Sequence, residues 1–434
     1  MNSLVKKVVR TVTEQKHVPD FSTTHVPIPA VNKAELYLTF KCNDRCAHCI
    51  TRSGPERREL MLPKQANTLL ENLAQFSVTR RLEAVCGPGR MVSVDNDRRQ
   101  KLEEMKSPPA VLTEELKQDY SDALQGRGLK AEWITSKQRI PLNFSRPSIR
   151  LSGGEFFMWP FELNGRRLSL KERLEFQQNF LRRARERLPE YDIWILTNGR
   201  FVRDNAIAEQ VIRHWSVNSS QEDQGRARTR ICVSVDVFHR PPEGSSIEEM
   251  LDRLWKFCNQ YNMSAPFLYG ITNQRIGFLG RVIDHFAPGI LSKEAIENVS
   301  GSRINPIKDI LVDPVDLTET EGCREVKGFY FDHQNRGFIA NDVAVDPKGH
   351  LVYCCACLGD YGDFLSSPAE TLRRIVTDPI SIMLRSSENT IRLMNTAVGL
   401  DPTIRVLGKA PHPAATASTC YQMMTGIRVP ERRQ

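Results

Sequence analysis

Three cysteines, Cys42, Cys46 and Cys49, stand as C-x3-C-x2-C directly after the strand-like stretch Glu35-Leu36-Tyr37-Leu38-Thr39-Phe40. A strand that runs into a thiol-rich loop constrains the fold. The loop must sit at one end of a sheet, and its thiols must converge there. Three thiolates can hold three irons of a four-iron, four-sulfur cluster and leave the fourth iron without a protein ligand. An open metal position is where chemistry takes place, whereas a closed one is usually structural. Half of a zinc site is the competing reading, although zinc ribbons pair C-x2-C knuckles and the first spacing here is x3. Cys42 and Cys49 lie too close in sequence for a useful disulfide staple.

At 434 residues the chain has room for about two domains. Charged residues make up 26% and hydrophobic ones 40%, the balance of a soluble globular protein. No apolar run approaches the ~18 residues of a membrane span. Residues Met1 to Phe21 carry Lys6, Lys7 and Arg10 but no long apolar core or small-residue cleavage site, which argues against a secretory signal. Eleven cysteines are too few for a disulfide scaffold of this length. Their clustering fits metal ligation in a reducing compartment, so a cytoplasmic location is expected. The net charge of +8 permits an acidic partner such as a nucleotide, a phosphate or RNA without demanding one. The run Arg182-Arg183-Ala184-Arg185-Glu186-Arg187 sits in a helical pattern and reads as a solvated helix face.

Along the chain, apolar periods and caps predict strands alternating with helices. Pro63 opens a helix whose face is Ala66, Leu69, Leu70, Leu73 and Phe76. From about 80 to 147 the periodicity degrades into an expected insertion with one helix, Glu114 to Leu124, capped by Thr113. Ser148 to Ser152 reads as a strand ending in Gly153-Gly154-Glu155, and Ser169-x-x-Glu172 as a capping box for a helix to about Leu188. Tyr191 to Leu196 is a strand ending in Thr197-Asn198-Gly199, followed by a helix from about Asp204 to Trp215. Ile231 to Asp236 is a further strand, Ser246-x-x-Glu249 a second capping box opening a helix to Cys258, and Pro266 to Ile271 a short strand. Such alternation predicts parallel βα units, with ligands beyond the C-terminal strand ends. The cysteine loop, Gly-Gly-Glu, Thr-Asn-Gly and Ser234-x-Asp236 all fall at such ends, which places them in one site. Beyond about 291 the pattern is irregular until a hairpin, Val343 to Cys354 with a Pro-Lys-Gly turn, runs into a second cluster, Cys354, Cys355 and Cys357. Ser367-Pro368-Ala369-Glu370 caps one more helix.

The cysteine loop after the first strand and Gly153-Gly154-Glu155 after the second resemble the signature of the radical S-adenosylmethionine enzymes, over roughly residues 35 to 290. The resemblance implies a partial (β/α)6 parallel barrel at 35–290, interrupted by the insertion at about 80–147. A 1–34 extension precedes it, and a smaller α+β extension at 291–434 follows. In that family the bare iron chelates S-adenosylmethionine. One electron then splits its carbon–sulfur bond, and the 5′-deoxyadenosyl radical so formed takes a hydrogen atom from the substrate. Carried onto this chain, Cys42, Cys46 and Cys49 bind the cluster, and His48 lies near the adenine. Gly153 and Gly154 let the backbone approach the cofactor, and Glu155 accepts from its ammonium group. Thr197, Asn198, Ser234 and Asp236 contact ribose or substrate. Taken alone, His48 is equally a surface histidine, His239 equally a structural one, and the Asn-Gly, Ser and Asp residues equally turn and cap formers.

The C-terminal segment resembles the SPASM or twitch extensions of the same family, in Gly349-x4-Cys354, Leu358-Gly359-Asp360 and the capped helix. Those extensions hold auxiliary four-iron clusters. Beyond residue 300 only Cys323, Cys354, Cys355, Cys357 and Cys420 are present, enough for one cluster. The favoured ligands are Cys323, Cys354, Cys357 and Cys420, against a zinc site or buried thiols. The function implied is hydrogen abstraction from a peptide or natural-product substrate, leading to net oxidation, a cross-link or epimerisation. Cys232, Cys258 and Cys355 are the candidate hydrogen donors. A flavodoxin or ferredoxin would supply the electron. RNA or nucleotide modification is the alternative enzymatic reading, and a zinc-stabilised binding protein the non-enzymatic one.

Overall fold

The computed structural model of the chain describes residues 28–44, 51, 53–94, 101–102, 105, 107–108, 130–142, 144–216, 229–234, 247–264, 266–269, 329–332, 337–340, 343–353 and 359–377. Strands, in chain order, are β1 (Ala30–Val31), β2 (Lys33–Thr39), β3 (Gly89–Val94), β4 (Lys130–Thr135), β5 (Arg139–Leu142) and β6 (Ser148–Gly153). They continue with β7 (Glu162–Leu163), β8 (Arg166–Arg167), β9 (Asp192–Thr197), β10 (Thr229–Ser234) and β11 (Phe267–Tyr269). The last are β12 (Phe329–Asp332), β13 (Gly337–Ala340), β14 (Val343–Val345), β15 (His350–Tyr353) and β16 (Gly359–Asp363). The helices are α1 (Pro63–Gln75), α2 (Val78–Cys86), α3 (Leu170–Arg187), α4 (Asn205–Trp215), α5 (Ile247–Gln260) and α6 (Pro368–Thr377).

The main sheet runs β11-β10-β9-β6-β2-β14-β15-β16, with β2, β6, β9, β10 and β11 mutually parallel. From β2 to β11 each new parallel strand is laid beside its predecessor. A doubly wound sheet reverses midway and so needs helices on both faces. Here the helices between the strands pack in succession, α1 on α3, α3 on α4 and α4 on α5. Alternate strand residues meet them: Leu36, Leu38, Ile149, Leu151, Ile193, Ile195, Ile231 and Val233 share one buried cluster with Leu69, Leu73, Leu174, Leu181, Val211, Ile212 and Leu254. By the two-residue period of a strand, Glu35, Tyr37, Arg150, Ser152, Trp194 and Arg230 face the other way. Glu35, Arg150, Trp194 and Arg230 stand side by side in register.

Local sequence explains the helices. Pro63 stands at the first position of α1, and Gln65 Oε1 accepts from Leu62 N at 2.9 Å. Ser169 and Glu172 form the expected capping box of α3, with Glu172 also holding Arg166 at 2.6 Å. Asp204 caps α4 through Ala206 N and Ile207 N.

At the N-terminal strand ends, Asp192 is buried between Arg146 and Arg230, each with Nε at 3.8 Å. Arg185, beside them, donates to Tyr191 O at 2.8 Å and Thr229 Oγ1 at 2.9 Å, and burial lowers its guanidinium to about 10. This cluster fastens the end of the sheet opposite the motif-bearing turns.

Two regions depart from expectation. The stretch after residue 80 was expected to lose regular structure apart from one helix. Instead α2 occupies its start, and β3, β4 and β5 form an antiparallel sheet, with Met91, Ala131 and Trp133 at most 1% exposed. The helix expected over 114–124 lies outside the described residues. Within the stretch read as irregular, β12 and β13 pair antiparallel, and β13 pairs with β1. The hairpin at 343–353 forms as expected, but it joins the main sheet: β14 runs parallel to β2, with Val345 opposite Leu36. Strands from both sides of the expected boundary near 290 thus share one sheet.

Candidate functional site

The site forms where β2, β6 and β9 end. Beyond Thr39 the chain leaves β2 and returns through a neck closed by backbone bonds. Cys42 N donates to Gly54 O at 3.1 Å, Gly54 N to Phe40 O at 3.2 Å and Met61 N to Leu38 O at 2.8 Å. Thr39 Oγ1 reinforces the neck by donating to Glu59 O at 2.9 Å. The Arg57 guanidinium lies over the Phe40 ring and binds Glu59 at 2.7 Å, holding that carboxyl down at about 2. Cys42 is a half-buried thiol, not part of a disulfide. Cys46, His48 and Cys49 lie outside the described residues.

Both limbs of this loop hold the Gly-Gly-Glu segment at the end of β6. On the outgoing limb, Glu155 N donates to Lys41 O at 3.0 Å. On the returning limb, the hydroxyls of Thr51 and Ser53 donate to Gly153 O. Approach this close requires glycine. Gly153 has φ +96°, and a Cβ on Gly154 would stand 2.4 Å from Lys41 O and 2.7 Å from Thr39 O, both backbone atoms.

The turn after β9 ties the two motifs together. Glu155, 2% exposed, accepts from Thr197 Oγ1 at 2.7 Å on one carboxylate oxygen and from Asn198 N at 2.9 Å on the other. The amide nitrogen of Asn198 reaches the cysteine loop: Asn43 Oδ1 at 2.6 Å, Asp44 Oδ2 at 3.3 Å and Cys42 Sγ at 3.9 Å. Arg200 Nε binds Asp44 Oδ2 at 2.6 Å, and its backbone N donates to Asn198 Oδ1. Gly199, at φ +69°, makes the turn. Lys41, beside Cys42, donates to Pro55 O at 2.8 Å and lies over the Phe161 ring. Burial, with Arg58 and Arg167 nearby, pulls its ammonium below the usual lysine range.

Of the residues singled out from sequence, Cys42, Gly153, Gly154, Glu155, Thr197 and Asn198 come together here. Ser234 ends β10, half-buried, while Asp236 and His239 lie outside the described residues. Cys232 is fully buried on β10, and burial raises its thiol well above the ordinary range. Cys258 is fully buried in the helix-side core on α5, its thiol pushed up to about 12 by desolvation. Cys323, Cys354, Cys355, Cys357 and Cys420 lie outside the described residues. Among the described residues, no three His, Cys, Asp or Glu side chains converge as a metal site, and no helix is long and apolar enough to cross a membrane. Sequence reading missed Asn43, Asp44, Thr51, Ser53 and Arg200. The first two fill the x3 spacer, and Thr51 and Ser53 follow the third cysteine; short polar residues there pass for ordinary loop filling.

No protein-family model and no curated protein matches the chain. Among solved structures it is similar to anSMEcpe with bound AdoMet and Cp18Cys peptide, at 10% identity and TM-score 0.39, covering 92% of this chain and 96% of that one. A second structure of anSMEcpe, carrying a histidine tag and with bound AdoMet, gives 10% identity and TM-score 0.35 over 81% and 78%. Streptococcus suis SuiB bound to precursor peptide SuiA gives 11% identity and TM-score 0.30 over 86% and 71%. At TM-scores below 0.5 these likenesses decide neither fold nor activity.

Proposed function

We propose that the chain is a radical S-adenosylmethionine enzyme built on an open sector of a (β/α) barrel. One observation carries the reading: both limbs of the cysteine loop hold the Gly153-Gly154-Glu155 segment, and the Thr197-Asn198 turn braces both. Two motifs that lie more than 100 residues apart, and that the family requires in one place, are therefore neighbours.

The donor set fits a four-iron cluster with an open iron. Cys42 is a thiol at the mouth of a closed neck, and Cys46 and Cys49 follow it four and seven residues on in the sequence. When bound, the cluster and S-adenosylmethionine supply the reductive cleavage that yields a hydrogen-abstracting radical. The chain's own residues provide the frame. Cys42, Cys46 and Cys49 would hold the irons. Gly153 and Gly154, bare of side chains, leave backbone to meet the cofactor; His48 would lie near its adenine, and Ser234 and Asp236 would contact ribose or substrate. Glu155 works chiefly as a buried brace, because both its oxygens already accept from the β9 turn.

The reaction type follows the C-terminal cysteines. Cys323, Cys354, Cys357 and Cys420 would hold one auxiliary cluster able to accept an electron, favouring net oxidation or cross-linking of a peptide or natural product. Cys355 would be left as a hydrogen donor for epimerisation. A flavodoxin or ferredoxin in the cytoplasm would be the reductant.

The test is iron and sulfide per chain after anaerobic reconstitution, in the native chain and in the Cys42/Cys46/Cys49→Ala variant. A fall from about eight irons to about four fits a radical site plus one auxiliary cluster. Zinc without iron in the native chain would sink the enzyme reading.

A further inference from the structure

We propose that Asn198 is a positioning residue for the first cysteine of the loop, and that its side-chain amide helps set the reduction potential of the cluster held there. The inference rests on the iron–sulfur reading above and adds a role that neither the cysteine spacing nor Gly-Gly-Glu contains. From sequence, Asn198 was expected to meet ribose or substrate. In the structure its side chain is spent on the cysteine loop.

The geometry is specific. Asn198 is 7% exposed, and Glu155 holds its backbone N at 2.9 Å, so the residue is fixed from behind. Its Oδ1 accepts from Arg200 N at 3.1 Å, which orients the amide with its nitrogen toward the loop. That nitrogen stands 2.6 Å from Asn43 Oδ1 and 3.9 Å from Cys42 Sγ. Arg200 neutralises Asp44, the other charge beside the thiol, at 2.6 Å. Two residues of the β9 turn are thus committed to the two residues that follow Cys42 and to its sulfur.

Physical chemistry gives the direction. Reduction adds negative charge to a cluster and its thiolates, and a donor aimed at a ligand sulfur stabilises that charge. Such a donor raises the potential and makes the cluster easier to reduce. The neighbouring Asp44 carboxylate would act oppositely were it not paired with Arg200.

The experiment is a dye-mediated redox titration of the reconstituted protein, read by the electron paramagnetic resonance of the reduced cluster, in the native chain, Asn198→Ala and Asn198→Asp. The Cys323, Cys354, Cys357 and Cys420 ligands are replaced by Ala throughout, so that one cluster is read. Asn198→Ala removes the donor. Asn198→Asp keeps the shape and the acceptor for Arg200 N while removing the N–H groups, and it serves if the alanine variant does not fold. The expected result is a reduction equilibrium about tenfold less favourable in Asn198→Ala, about 59 mV for one electron, and a larger shift in the same direction in Asn198→Asp. Native potential in both variants, at native iron content, would overturn this inference and leave the proposed function standing. A native chain that takes up no iron would overturn both.

Discussion

The carboxylate of Glu155 and the hydroxyl of Thr197, 42 residues apart, meet at 2.7 Å in a fully buried contact. The bond joins the ends of two strands that are neighbours in the sheet, and the second oxygen of Glu155 takes Asn198 N. A carboxylate shut from water with both oxygens engaged is a brace whose removal strands two donors.

Glu155→Ala should therefore cost about 1–3 kcal/mol of stability and loosen the cysteine loop, lowering iron uptake. Glu155→Gln keeps one acceptor and should fall between. Urea unfolding of the apo chain measures the first effect and iron per chain the second. Unchanged stability in both variants would contradict the brace.

A methyl group separates two kinds of glycine. Gly154→Ala drives a Cβ to within 2.4 Å of Lys41 O, and backbone must move to admit it. Overpacking of that kind costs about 1–3 kcal/mol, here at the root of the loop. At Gly54 the nearest atoms to an added Cβ are the carboxylate end of Glu56, a side chain that can shift where backbone cannot. Gly54→Ala should cost less than Gly154→Ala. Equal thermal shifts in the two variants would show that the close approach at Gly154 is not tight.

The thiols should sort by burial. Only a thiolate is alkylated at speed. At pH 8, Cys258, raised to about 12 and fully buried, stays neutral, and Cys232 is raised further. Both should escape iodoacetamide in the native apo chain while half-buried Cys42 reacts, and all three should react in denaturant. Peptide mapping reads the order. Labelling of Cys258 as fast as Cys42 would show that α5 does not pack on the sheet as described.

Asp192→Ala removes the anion between Arg146 and Arg230, leaving two buried guanidiniums without it. Breaking a buried ionic group by deleting one partner costs about 3–5 kcal/mol. The midpoint of urea unfolding should fall accordingly. A fall under about 1 kcal/mol would place the cluster in contact with water.

The parallel strands and their helices were legible because short apolar runs such as Ile193-Trp194-Ile195-Leu196 end in Gly or Asn-Gly turns, and because Ser169-x-x-Glu172 and Asp204 are explicit caps. The antiparallel sheet at β3–β5 was hidden. Its strands are short and carry Arg90, Lys130, Glu132 and Arg139, so the buried alternation of Met91, Ala131 and Trp133 is diluted by charge. The pairing of β14 with β2 leaves no local trace, since it joins residues some 300 apart. At the site, Gly153, Gly154 and Glu155 stood out by their place after the second strand and by resemblance to the family's glycine-rich motif. The grip of Asn198 on Asn43 did not, because an Asn in a turn is common for reasons of backbone alone.

That pairing of β14 with β2 makes the C-terminal hairpin a guard as well as an addition. Were it cut away, the strand that launches the cysteine loop would become the rim of the sheet. Its amides and carbonyls would then be open to any passing extended chain, a known route to aggregation. Segments 35–290 and 343–377 are separable in sequence, yet in the sheet the second covers the edge of the first.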